Sequence, residues 1–226
     1  MTAPVVLVPG FATSAARTWG ENGWLDLLSD IGRTAIPLDL LGSGTCDKPR
    51  DPEAYRNFEQ HLLDRFPSEP VDAIGFSLGA RTLLLLAAQH PDRFNSLIVA
   101  GVGRNLFERD QTSESIASAI DGSGDTEDPT VRYFAQLAQA PDQDALALAA
   151  FLRRPPAPSI TADLLGSVTC PVLVVLGDRD FAGPAEPLLS ALPDARLVVL
   201  KNVDHFATPK DFGFLDAALE HLSASA

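Results

Sequence analysis

Cysteine is scarce in this chain: Cys46 and Cys170 are the only two. No CxxC pair and no metal-ligand spacing can be built from them, so they read as free thiols of a reducing compartment. Neither a metal nor a cofactor is called for. Basic residues are also in short supply, with 17 Lys and Arg against 30 Asp and Glu and a formal net charge of −13. Phosphate backbones and anionic lipid need clustered cations, so no nucleic acid is expected as a partner. The acidity favours solubility and gives a weak bias toward neutral or cationic substrates. Long hydrophobic runs are missing too. The longest apolar stretch near a helix, residues 83–88, is far short of a bilayer span, so no membrane insertion is expected. Only Met1 to Pro4 precede the first apolar run, with no basic segment leading into an apolar one; the expectation is no secretory leader and a cytoplasmic location. Internal repeats and low-complexity tracts are lacking as well.

What is there begins with length. The chain has 226 residues, enough for one domain with a sizeable core. Six short runs rich in Val, Ile and Leu lie at 5–8, 34–38, 71–74, 97–100, 171–176 and 196–200. Most lack polar/apolar alternation, the pattern of strands buried on both faces. Helical patterns separate them at 24–31, 54–65, 78–89 and 184–191, and a last one spans 213–222. Strand alternating with helix predicts βαβ units, a parallel sheet and right-handed crossovers.

The interval 103–166 breaks the alternation and is too long for a crossover with one helix. It reads as three short helices, at 110–120, 129–138 and 143–152. Asp128 before Pro129 is a cap residue followed by proline at the first helical position, and Asp142 can cap the third helix. The proline-rich stretch 153–159 is an extended return to the sheet. Long inserts in compact domains usually serve a site, so residues 105–160 are read as a small helical cap. Residues 1–104 and 161–226 then form the two parts of the core.

The sharpest chemical feature is Gly75-Phe76-Ser77-Leu78-Gly79, which ends one predicted strand and opens a predicted helix. A strand, G-x-S-x-G and a helix make a nucleophile elbow. The turn lifts the Ser77 hydroxyl clear of the sheet, and side chains at 75 and 79 would collide across it. The N–H groups at the helix start face the place where an oxyanion forms. Such a serine needs a base. His61 lies within a helical segment, His90 closes a helix before Pro91, and His221 is on the last helix. Only His205 follows a strand, in the kind of loop where sites gather in open α/β sheets. An acid to orient it should leave an earlier strand end. Asp178 and Asp180, in Gly177-Asp178-Arg179-Asp180, both qualify, whereas Asp204 is too close in sequence to reach the ring of its neighbour.

With these residues in view, the chain resembles the α/β-hydrolase fold family, in its branch of small serine esterases. The first run with Pro9-Gly10-Phe11 is similar to the family's strand and oxyanion loop, with Pro9 in place of the usual His. Asp39-Leu40-Leu41-Gly42-Ser43-Gly44 with Lys48-Pro49 resembles its Asp-x-x-Gly-His-Gly-x-Ser-x-x-Pro stretch, with Ser43 at the His place. Gly177 to Asp180 resembles its Gly-x-x-Asp, and Asp204-His205-Phe206 its Gly-His-Phe. The resemblance implies Asp180 as the acid, and the backbone N–H groups of Phe11 and Leu78 as oxyanion donors. It also implies an α/β fold, a mostly parallel sheet of about six strands with helices on both faces and a small cap. The family's two extra leading strands are expected to be missing.

The activity expected is hydrolysis of a small-molecule carboxylic ester through an acyl-enzyme, with Ser77, His205 and Asp180 as the triad. Phe11, Phe181 and Phe206 beside these positions, and Phe107, Phe134 and Phe151 of the cap, are the expected lining of an apolar pocket for short to medium uncharged esters. Arg81 is the residue most able to upset this. A branch of the family that eliminates pyruvate in menaquinone synthesis carries Arg at a similar place, whereas an ordinary helix residue would pair with a nearby carboxylate. That carbon–oxygen lyase, a perhydrolase, and a non-catalytic ligand receptor on the same fold are the rival readings.

Overall fold

The computed structural model describes residues 2–108, 112–125, 127–156 and 158–224. Each apolar run is a strand: β1 (Val5–Val8), β2 (Ala35–Pro37), β3 (Val71–Phe76), β4 (Phe94–Ala100), β5 (Val172–Gly177) and β6 (Ala195–Leu200). They form one sheet in the order β2-β1-β3-β4-β5-β6, with every pairing parallel. The four inner strands are buried, but β2 and β6 are only partly covered, because each is an edge with a neighbour on one side. The expectation of burial on both faces therefore holds for the inner strands alone.

Period-two alternation splits the sheet's side chains between two cores. Val6, Val8, Ala73, Val99 and Val174 face one layer, built by α2 (Phe58–Leu63), α3 (Leu78–Gln89), α7 (Ala162–Leu165) and α8 (Glu186–Ala191). Val5, Leu7, Ile74, Ile98 and Val175 face the other, built by α1 (Trp24–Asp30) and α9 (Phe212–Ala224). There Trp19, Trp24 and Phe214 pack edge to face, with ring centroids 4.7–6.5 Å apart. The two cysteines are unpaired. No helix among the described residues is long and apolar enough to cross a membrane.

The interval after β4 holds α4 (Ser113–Asp121), α5 (Pro129–Leu137) and α6 (Ala145–Leu152). The predicted start of α4 at Asp110 lies outside the described residues. Asp128 caps α5 as expected, accepting from the N–H groups of Thr130 and Val131. The cap of α6 is Asp144, not Asp142: its carboxylate accepts from Ala147 N–H, while Asp142 faces Arg17. The helix predicted at 54–65 is also divided. Asp51 and Pro52 start a 3₁₀ turn over Pro52–Tyr55, and Asn57, at φ −109° and ψ 40°, separates it from α2. Helix α7, capped by the Thr161 side chain, was not anticipated; it is a single turn.

At the opposite end of the sheet, Arg33 pairs with Asp72 where both side chains are almost fully buried. The Asp72 carboxylate also accepts from Ser96 Oγ at 2.7 Å, and the Arg33 guanidinium donates to the carbonyls of Ala3 and Leu222. Removing one partner of such a pair costs about 3–5 kcal/mol. His221 of α9 is buried close by. Burial first, and then Arg196, depress its pKa below the ordinary histidine value, against the opposing pull of Asp72 and Asp194. The unfolded chain therefore binds the proton more readily than the folded one. The stability that neutral His221 provides is complete above about pH 6.5 and is lost as pH falls toward its depressed folded pKa. We expect Tm to drop between about pH 7.5 and pH 5, and His221→Gln to flatten that drop. Parallel Tm–pH curves for the two proteins would refute the assignment.

Candidate active site

Strand β1 has β2 on one side and β3 on the other, so the chain reverses direction across the sheet at the β1/β3 junction, where open α/β sheets bind ligands. The loop after β1 carries Phe11, and Ser77 follows β3. Ser77 sits at φ 50° and ψ −111°, a left-handed backbone that costs a non-glycine residue about 1–3 kcal/mol. It is held there from both sides: its N–H donates to Ala100 O at 2.8 Å, and its carbonyl accepts from Arg81 N–H at 2.9 Å. A side chain at 75 would meet the Ala80 backbone at 2.7 Å, the collision across the turn that the sequence predicts. Gly79 is required for a different reason. A Cβ there would lie 2.4 Å from the Val8 carbonyl oxygen, so its absence lets the elbow press against the end of β1 rather than close on itself.

His205 lies after β6, 2% exposed, with Nε2 3.0 Å from Ser77 Oγ. Its Nδ1 is 3.0 Å from both carboxylate oxygens of Asp180. Asp180 Oδ1 also accepts from Ala182 N–H at 2.8 Å, which fixes the carboxylate in its loop. The imidazole packs against the rings of Phe76 and Phe181, at centroid distances of 4.9 and 4.3 Å. Gly101, at φ +69°, makes room for it: a Cβ at that position would lie 3.0 Å from His205 Cε1 and 2.7 Å from Phe76. Asp178, the other acid open on residue position alone, accepts from Asn202 N–H at 2.7 Å and closes the turn after β6. Asp204 accepts from Ala207 N–H.

Ser77 and His205 open into a cavity of about 270 Å³, just below the usual range of ligand pockets. Phe11 and Phe206 line it from the core, and Tyr133, Phe134 and Leu137 from α5. Leu137 lies one turn on from both, at i+4 from Tyr133 and i+3 from Phe134. Three of the six phenylalanines expected as lining therefore reach the cavity. Phe181 does not line it; about half exposed, it covers the outer face of the His205 ring. Phe151 is a correction: it is 4% exposed and packed among Phe11, Tyr55 and Phe58, with the Arg154 guanidinium 3.7 Å above its ring. Phe107 is another, because it packs against the α8-side core. Arg81 lies outside the cavity as well, 3.9 Å from Glu59 and bonded to the Pro158 carbonyl.

Residues 13–22, which sequence reasoning left unread, also line the cavity, among them Thr13, Arg17, Thr18 and Asn22. Ala16–Gly20 is a π-helical turn closed by Glu21 N–H to Ala16 O at 2.9 Å, a geometry concentrated at functional sites. The available signal was their position just past the carboxyl end of a central strand. Tyr133 could have been found from its i, i+4 relation to Leu137 on the face that carries Phe134.

Residues 5–216 match the profile of the Alpha/beta hydrolase family. A pimeloyl-[acyl-carrier protein] methyl ester esterase from Neisseria meningitidis serogroup C is 28% identical, and the match covers 83% of each chain. Among solved structures, a thermophilic esterase from Thermogutta terrifontis superposes with a TM-score of 0.69 at 20% identity, over 100% of this chain and 91% of that one. The 2-hydroxy-6-oxo-6-phenylhexa-2,4-dienoate hydrolase of Rhodococcus sp. strain RHA1 does so with a TM-score of 0.67 at 19% identity, over 99% and 91%. Those two likenesses speak to the fold, and the profile match to descent: the chain belongs to the α/β-hydrolase family.

Proposed function

We propose that this chain is a serine hydrolase of carboxylic esters, with Ser77 as nucleophile, His205 as general base and Asp180 as the acid that orients it. The observation that carries the proposal is the unbroken hydrogen-bonded line from Ser77 Oγ through both ring nitrogens of His205 to Asp180, at the floor of a cavity. The methyl ester esterase at 28% identity is in keeping with it.

The mechanism follows from that line. His205 Nε2 takes the proton as Ser77 Oγ attacks the carbonyl carbon. Asp180 holds the tautomer with the proton on Nδ1 and stabilises the imidazolium that forms. The tetrahedral oxyanion is received by the N–H of Leu78, the first residue of α3, where a helix N–H has no carbonyl of its own helix to bond. The N–H of Phe11 is the second donor. The Gly10 backbone supports its placement, since a Cβ on Gly10 would be 3.4 Å from Ser77 Cβ. Each such donor contributes about two to four kcal/mol in the transition state. Collapse expels the alcohol with a proton from His205. Water then attacks the acyl-enzyme by the same route and restores Ser77. Residues 105–160 act as a cap: α5 closes the cavity opposite the core, and its aromatic wall suits an apolar acyl group.

Two measurements test this reading. With a chain-length series of p-nitrophenyl esters, turnover should peak at one acyl length, and Ser77→Ala should lower kcat by about 10⁴-fold or more with folding intact. A folded wild type that turns over no ester of any length would sink the proposal. The acid is tested separately. Asp180→Asn should reduce kcat by a similar order, because the amide favours the wrong imidazole tautomer, whereas Asp178→Asn should change it by less than about tenfold. The reverse ranking would transfer the role to Asp178.

A further inference from the structure

Beyond the apolar wall, the cavity that holds Ser77 has a polar end. Arg17 and Lys210 both line it, with the Thr13 hydroxyl beside them, while the Asn22 amide is spent on the carbonyls of Arg17 and Thr18. Arg17 stands in the π-helical turn, which swings it toward the cavity from the loop after β1. Its guanidinium is incompletely satisfied. Nη1 is buried and has no hydrogen-bond acceptor; its nearest counter-charge, Asp142 Oδ1, is 3.6 Å away and is itself without a donor. The Arg17 side chain as a whole is about one-third exposed, so its charge is open to a ligand in the cavity. Lys210 ends the short 3₁₀ turn Thr208–Lys210, exposed at the cavity mouth and without a paired carboxylate among the described residues. Glu21 is the one carboxylate on the wall, and it too is exposed at the rim.

Resting on the esterase reading above, we infer that the ester substrate carries a carboxylate at the end remote from the scissile bond, and that Arg17 binds this carboxylate with Lys210 assisting at the rim. The substrate class is then the half-ester of a dicarboxylic acid, its apolar middle lying along Phe11, Phe134 and Phe206. The chain's net charge of −13 does not oppose this. At physiological salt, charges more than about 8 Å away are largely screened, so the near groups decide: Arg17 and Lys210 on the wall, against Glu21 at the rim and Asp142 beside Arg17.

The test compares the monomethyl with the dimethyl esters of straight-chain dicarboxylic acids of about four to seven carbons, near neutral pH, where the free acid end is ionised. In the wild type, kcat/KM for the monomethyl ester at the best length should exceed that for the dimethyl ester by about tenfold or more, mostly through KM. Arg17→Gln should bring that ratio close to one. Lys210→Gln, a change at an exposed residue that leaves the fold undisturbed, should lower it by about two- to fivefold. Equal or better use of the dimethyl ester by the wild type would overturn the inference, as would a preference that survives Arg17→Gln.

Calorimetric binding of the monomethyl ester to Ser77→Ala separates this inference from the reading it rests on. Binding that weakens about tenfold when Arg17→Gln is added supports the subsite. Binding indifferent to Arg17, beside normal turnover of neutral esters, would remove the subsite and keep the esterase. Arg17-dependent binding by a protein that hydrolyses no ester would do the opposite.

Discussion

The close approach of the elbow to the end of β1 is the constraint on which the upper face of this molecule depends. Gly79 has no side chain because the carbonyl oxygens of Val8 and Pro9 occupy the space where a Cβ would go, at 2.4 and 2.5 Å. That contact sets the start of α3 against the loop that carries Phe11. The unfavourable φ of Ser77 persists because the strand before it, the helix after it and the Ala100 carbonyl beside it leave no other conformation. Strain is kept here and compensated by two cores, one on each face of the sheet.

A second approach repeats the logic on the other half of the site. The end of β5 lies against the loop after β6 so tightly that a Cβ on Gly177 would be 2.1 Å from Val203 O. Arg179 N–H donates to that same carbonyl at 3.1 Å, so the Asp180 loop and the His205 loop are fastened together directly beneath the two side chains. The two bare backbone crossings, one at Gly79 and one at Gly177, gather the loops after four strands, and Ser77, His205 and Asp180 of three of them meet at 3.0 Å. His205 is buried beside this crossing, with Phe76 and Phe181 packed against its ring and Nε2 directed at Ser77.

Much of this was legible in the chain, for reasons that differ from residue to residue. The strands were readable because inner parallel strands need apolar side chains on both faces, and β2 and β6 departed because edges do not. Ser77 and His205 were readable because each follows a strand end, a position that the order of elements specifies. The two aspartates were not separable by position alone, since both sit within one turn of the same strand end. What distinguishes them is that Asn202 N–H captures Asp178. The pocket was the least legible part. Phe107 and Phe151 are as apolar as Phe134, and only the packing of α6 against Tyr55 and Phe58 turns Phe151 into core. Asp142 was the cap read from the sequence; α6 starts at Ala145, so Asp144 is the residue next to its first turn and reaches Ala147 N–H.

The helices after β4 are joined to the rest of the chain in a way that bears on chemistry. They have a small core of their own, in which Ile116, Ala117, Ile120, Val131 and Leu148 meet the buried Ala12 of the β1 loop. Arg153 bridges Glu114 and Asp121, but at an exposed position where ion pairs add little to stability. The firmer tie is aromatic. Phe11 stacks on Phe151 at 5.7 Å and meets Phe134 at 5.8 Å, so the side chain of this β1-loop residue is clasped by two of the three helices. Its own backbone N–H is one of the two donors proposed for the oxyanion. Anything that moves α5 relative to α6 therefore moves Phe11, and with it the donor. On the mechanism proposed above, a ligand that fills the cavity braces Phe134 and holds that donor in place, so apolar contact at a distance from the carbonyl strengthens binding of the transition state more than that of the free ester.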